Sequence, residues 1–210
     1  MIAAALAFAV TALAQTPEEI LDRMEKAMEK GETEGISIIM DLKIPILGTT
    51  TSSMYMLGDK VKTETAVFKE KIVTFNDGET EYEYEPAKNK ITIKTVKLPG
   101  SSDQPETSDA EDNMSLFDGI TQDYDVRLDK ETSDAWHIRC DRKKTCKDKD
   151  APKRMDLVVS KQDNLPVSLS TTVSGVKVTM RDVKLGVSEK DVTFDISDYP
   201  GAVIEDQRLK

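Results

Sequence analysis

The hydrophobic positions change period once along the chain. Between Thr16 and Gly31, the apolar residues Ile20, Leu21, Met24, Ala27 and Met28 recur at three- and four-residue spacing, which marks one buried face of a helix. Thr16 suits the N-cap, Pro17 the first helical position, Glu19 a capping box and Gly31 the C-cap. From Gly35 onward the period is two: Ile36, Ile38, Met40, Leu42 and Ile44 share one parity, with Ile39 on the other. Further strand-like runs cover 49–57, 61–65, 71–75, 79–84, 90–96, 125–129, 135–140, 153–160, 166–173, 176–184 and 192–195. Turn chemistry stands at the joints, as Gly58-Asp59, Asn76-Asp77-Gly78, Asp163-Asn164 and Ser174-Gly175. Many short strands with few long connections predict a mainly β, antiparallel meander. A parallel sheet would need crossover helices, and no pattern for them occurs.

Two stretches break this rhythm. Residues 99–113, PGSSDQPETSDAEDN, are acidic, apolar-poor and rich in Ser and Pro, and read as a mobile loop followed by a short helix over 115–122. This loop reads either as a surface excursion between two sheet halves or as the hinge of a lid, and both readings stay open. Residues 1–14, MIAAALAFAVTALA, carry no charge and end in the small-x-small triplet Ala12-Leu13-Ala14. They read as a signal peptide cut after Ala14, although no Lys or Arg precedes the apolar run. That leaves one exported domain over 15–210. No later stretch is apolar enough to cross a membrane.

Composition narrows the function. With 39 Asp and Glu against 29 Lys and Arg, the formal net charge is -10, and an acidic surface of this kind excludes nucleic acid as a partner. The two cysteines, Cys140 and Cys146, are six residues apart, and in an exported chain that pair predicts a disulfide. Six extended steps cover about 20 Å while bridged Cα atoms lie within about 7 Å, so the backbone has to reverse over 141–145. His137 is the one histidine and reads as structural. No nucleophile elbow, phosphate loop or metal-ligand set appears, so no cofactor and no catalysis are expected. Asp148 and Asp150 would at most hold a cation weakly.

Two segments carry a family resemblance. In DGETEYEYEPAKNKITI, residues Asp77, Gly78, Tyr84 and Pro86 match the D-G-x-x-x-W-x-Y-x-P strand of the LolA family of periplasmic lipoprotein carriers, with Tyr82 in the tryptophan's slot. LPVSLSTTVSGVKVTMRDVKLG and DVTFDISDYPGAVIED resemble the family's closing strands, with Phe194, Pro200 and Gly201 in place. The opening helix also sits where the family has one. The family's arginine–proline lid latch has no counterpart in Gly58-Asp59-Lys60-Val61-Lys62. The resemblance implies an unclosed antiparallel β half-barrel, with an N-terminal helix and short lid helices over an apolar concave face. It also implies a periplasmic location, acyl chains of lipoprotein or lipid as cargo, and membrane-bound donor and acceptor proteins. Strand parity then names a candidate ligand lining: Ile38, Met40, Leu42, Met54, Met56, Tyr82, Tyr84 and Leu169. Two other functions compete. One is an RseB-like lipid-sensing module, which would need a second C-terminal domain that a chain ending at Lys210 leaves little room for. The other is a ligand-free envelope scaffold whose core is plugged by large side chains.

Overall fold

A computed structural model describes residues 15–67, 70–96 and 120–208. The expected signal peptide, the acidic 99–113 segment and the start of the helix expected over 115–122 lie outside the described residues.

The chain opens with helix α1, Pro17–Glu29. Its start is fixed reciprocally: the Thr16 hydroxyl accepts from the Glu19 N–H while the Glu19 carboxylate accepts from the Thr16 N–H, both at 3.2 Å. A short turn of helix, α2 (Gly31–Glu34), leads into the sheet. Six strands then run as an uninterrupted meander: β1 Ile36–Ile44, β2 Gly48–Leu57, β3 Lys60–Val67, β4 Glu70–Asn76, β5 Thr80–Glu85 and β6 Lys90–Thr95. After helix α3 (Ile120–Asp123) come five more: β7 Tyr124–Glu131, β8 Ala135–Arg142, β9 Arg154–Ser160, β10 Pro166–Val173 and β11 Val176–Leu185. Helix α4 (Glu189–Val192) and strand β12 (Val203–Asp206) complete the described chain.

Eleven of the strands lie where alternation and turn residues place them. The predicted strand over 192–195 does not form. Ser188 and Asp191 make a second capping box there, which favours a turn of helix, and the final strand comes later, at Val203–Asp206. Turn chemistry acts as its residue types imply. Asn76 Oδ1 accepts from the Gly78 N–H at 2.8 Å and Asp77 Oδ1 from the Thr80 N–H at 2.7 Å. Ser174 and Gly175, at φ 49° and 83°, form the tight β10–β11 turn.

All twelve strands join one open sheet in the order β12-β6-β5-β4-β3-β2-β1-β11-β10-β9-β8-β7. Every pairing is antiparallel except β12 with β6. The two meanders meet where β1 pairs with β11, so β6 and β7, neighbours in chain order, stand far apart across the sheet. From β1 to β6 the register runs without a bulge, so parity can be carried from strand to strand.

Carried that way, parity separates two apolar layers. On one face, Ile36, Ile38 and Met56 join Trp136, Ile138, Met155, Leu157, Leu169 and Met180 in a core closed by Ile20, Leu21, Met24 and Met28 of α1. On β4 to β6 the apolar residues occupy the other face. There Val73, Phe75, Tyr82, Tyr84 and Ile91 are register partners or near neighbours, and the chain after β11 covers them. Phe194 stacks on Tyr82 with ring centres 4.3 Å apart and meets Phe75 edge-on at 5.7 Å, while Tyr199 tilts against Tyr84 at 4.5 Å. The half-barrel thus has one core beneath α1 and a second, aromatic one on the reverse side.

Candidate functional site

The candidate lining residues do not all meet. Ile38 pairs with Met54, Ile36 with Met56, and Met40 with Met180, which in turn faces Leu169. Cross-strand partners share a face, so Ile38, Met40, Leu42, Met54, Met56 and Leu169 form one patch on the α1 side. Tyr82 and Tyr84 do not belong to it. Following the pairings Met54–Thr63, Thr63–Thr74 and Thr74–Glu83 across β2 to β5 brings Glu83, not a tyrosine, onto the α1 side. The expectation that the tyrosines share an inward face with Met40 is corrected by this register. Each odd-numbered sum between partner positions flips the parity, and β2–β3, β3–β4 and β4–β5 flip it three times.

Burial grades the patch. Ile38 and Met56 are 5% exposed and Leu169 is 7%, packed into the core by the protein's own side chains. Met40 and Met54 are half-buried at its margin, with Leu42 beside them on β1. Beyond them the face turns hydroxylic: Ser52 and Thr65 share a hydrogen bond of 3.0 Å. Seven methionines, Met24, Met28, Met40, Met54, Met56, Met155 and Met180, serve this core or its margin. Unbranched thioethers of this kind repack around irregular apolar shapes at low cost.

The cysteines are not bridged. Both are free, Cys140 buried and Cys146 half-buried, which corrects the predicted disulfide. The reason lies in β8. Cys140 has the parity of Trp136 and Ile138 and points into the core, where burial pushes its thiol up to about 12. Cys146 sits in the β8–β9 loop with Sγ 3.4 Å from the Asp148 carbonyl. The chain does reverse, but later than expected over 141–145: Asp141 and Arg142 still belong to β8, and the loop runs over 143–153. Among the described residues, no group of three or more His, Cys, Asp or Glu could hold a metal ion. No described helix is long and apolar enough to cross a membrane.

The class defined so far is an open, mostly antiparallel half-barrel sheet with helix α1 packed on one of its two apolar layers. No family model and no curated protein matches the chain. Among solved structures it is similar to an uncharacterized conserved protein from Thermus thermophilus, at TM-score 0.46 and 16% identity, covering 90% of this chain and 98% of that one. It is also similar to a LolA superfamily protein from Nitrosomonas europaea, at TM-score 0.33 and 12% identity over 87% and 99% of the two chains. A chain of the Pseudomonas aeruginosa MucA/MucB complex is similar at TM-score 0.43 and 13% identity, with 84% of this chain covering 60% of that one.

Proposed function

We propose that this protein is an exported, periplasmic binder or carrier of lipid acyl chains, with no catalytic role. The observation that carries the reading is the band of Met40, Leu42 and Met54. These apolar side chains lie half-buried on the α1 side of an unclosed sheet, next to a methionine-rich core able to give way. Each buried methylene contributes roughly 0.8 kcal/mol, so a long acyl chain would gain of order 10 kcal/mol before association costs. No acid, base or metal is needed for that work. On this reading the leader is removed after Ala14, the chain from Gln15 onward is one domain, and cargo passes between membrane-bound donor and acceptor proteins. The competing scaffold reading is favoured by the deep burial of Ile38, Met56 and Leu169, which are already packed by protein.

The two readings separate in one experiment. Organic extraction of the purified protein with mass spectrometry, and titration with a fluorescent fatty acid, should reveal acyl ligand. Met40→Lys should lower fatty-acid affinity at least roughly a hundredfold, since a charge buried without a partner costs several kcal/mol. Lys184→Glu, exposed on the other side of β11, should leave it unchanged, with thermal melts confirming that both variants fold. A wild-type protein that neither carries nor takes up acyl ligand would establish the scaffold instead.

A further inference from the structure

The β1–β2, β10–β11 and β8–β9 connections share one rim of the sheet, and that rim exposes apolar and cationic side chains. At the β1–β2 tip, Ile46 is fully exposed and Leu47 is 58% exposed. Ile46 also holds φ 72°, a left-handed conformation in which a β-branched residue is a steric outlier. One residue pair inward, Lys43 lies directly across from Lys177 of β11, both exposed. Like charges opposite one another on neighbouring strands repel.

Next along the rim comes the β8–β9 loop. With the flanking Arg142 and Arg154 it carries seven Lys or Arg against two Asp, in a chain of net charge -10. The loop is held in shape from within. The Arg142 guanidinium donates to the Lys149 and Ala151 carbonyls at 2.9 and 2.6 Å, and Lys143 Nζ donates to the Thr121 carbonyl at 2.7 Å. Lys144, Lys147, Lys149 and Lys153 are left pointing outward, all exposed and, among the described residues, without an ion-pair partner. Between this loop and the β10–β11 turn lies an open groove of about 700 Å³, lined by Lys149, Lys153 and Lys177 together with Ser170, Thr172 and Ser174. Arg154 also borders it, already paired with Asp156 at 2.5 Å.

We infer that this rim is a peripheral docking surface for an anionic lipid bilayer. The Ile46-Leu47 tip enters the interfacial layer as an apolar wedge. The lysines of the β8–β9 loop and the Lys43–Lys177 pair face lipid phosphates, and the lysine- and hydroxyl-lined groove is open to a headgroup. Charge complementarity selects this occupant. The rest of an acidic molecule is repelled by such a surface, so a cationic, wedge-bearing rim also fixes the orientation of approach. Adjacent strands lie about 4.8 Å apart, so the tip and the basic loop fall within roughly 20 Å of each other and can touch one flat surface together. Two weak attachments, a short apolar wedge and a basic cluster, together give reversible binding where either alone is marginal.

The test is co-sedimentation of the full chain with vesicles of phosphatidylcholine mixed with phosphatidylglycerol, against vesicles of phosphatidylcholine alone, at low and high salt. The wild type is expected to bind the anionic vesicles only, and to leave them at high salt. The double substitution Ile46→Ser, Leu47→Ser and, separately, the triple Lys144→Glu, Lys147→Glu, Lys149→Glu should each cut partitioning at least roughly tenfold. Both variants should keep the wild-type thermal melt and fatty-acid uptake, so failure here stays distinct from failure of the carrier reading. Wild-type protein that binds neither vesicle overturns the proposal and leaves the tip to a protein partner. Equal binding to both vesicles, or tip and loop variants that bind like wild type, overturns it as well.

Discussion

Asp41 shows how much one side chain ties together on the reverse face of the sheet. Its carboxylate accepts from Arg181 Nε of β11 at 2.7 Å and from the Thr51 hydroxyl of β2 at 2.7 Å, so a single residue of β1 straps three strands. The Arg181 guanidinium holds the Asp41 carboxyl below the usual carboxylate range. Because the folded-state value lies below the unfolded one, the strap contributes fully above the ordinary carboxylate range, and this is lost as pH falls through the lowered value. Asp41→Asn should therefore cost about 1 kcal/mol near neutral pH, a modest figure because Arg181 is partly exposed. In acid the two melting curves should converge; a difference that is the same at every pH would mean that the ion pair contributes nothing. The cysteines give a second residue-scale test. Iodoacetamide under native conditions should label Cys146 and spare Cys140, which is 1% exposed and has its thiol pushed up to about 12. Unfolding should then expose Cys140. Equal native labelling of the two would contradict the buried placement of Cys140 in β8.

At the scale of elements, the joints between helix and sheet are the tightest points. Gly35 links α2 to β1 at φ 71°, and a Cβ there would lie 2.6 Å from the Val187 carbonyl oxygen and 2.7 Å from Val187 Cβ. Gly35→Ala should therefore destabilise by roughly 1–3 kcal/mol, through backbone strain and through pushing the β11–α4 connection away. Urea denaturation would read this as a lower midpoint with an unchanged slope. The helix cap is milder. Thr16→Ala removes one half of the capping box and should cost about 1 kcal/mol. Strand β11 contains the one register shift against β1, between the Ser37 and Ile39 partners, with Asp182 at φ 54° beside it. This bulge resets the parity of the strand. Met180 and Val183 both reach the α1-side core although they stand three positions apart, which strict alternation forbids.

Across the whole molecule, the two apolar layers on opposite faces should behave as independent units. Phe194→Ala removes the stack on Tyr82 and the edge contact to Phe75, and should weaken the C-terminal covering by roughly 1–3 kcal/mol. Met40→Lys perturbs the other side of the sheet. The effects of the pair on stability should add within about 0.5 kcal/mol, since neither residue shares a partner with the other. In the fatty-acid titration, Phe194→Ala should behave as wild type. Loss of uptake in that variant would relocate the ligand to the aromatic side and return Tyr82 and Tyr84 to the lining.

How much of this the chain itself dictates follows from the range of each physical rule. Helix α1 with its cap, eleven of the strands, and the turns at Asn76–Gly78 and Ser174–Gly175 depend on residues a few positions apart, so their patterns are written locally. Alternation likewise determines which residues of a single strand share a side, as with Ile38, Met40 and Leu42, or Tyr82 and Tyr84. It is silent on whether two strands present their apolar sides to the same layer. That depends on the register sums across β2 to β5 and on which distant segment lies over each face: α1 on one, Phe194 and Tyr199 on the other. The same limit explains the parallel strand Val203–Asp206. Its Val203 and Ile204 are exposed and carry no strong period, so its pairing with the edge of β6 arises only once that edge exists. It also explains the cysteines: a six-residue spacing permits a bridge, but the fold packs Cys140 of β8 into the core and leaves Cys146 half-buried in the β8–β9 loop, with both thiols free. The charge of -10 belongs to the whole sequence. The basic run from Arg142 to Arg154 is legible in the sequence too, but its place beside the Ile46-Leu47 tip and the Lys43–Lys177 pair is decided only by the tertiary structure, which brings three hairpin ends to one edge of the sheet.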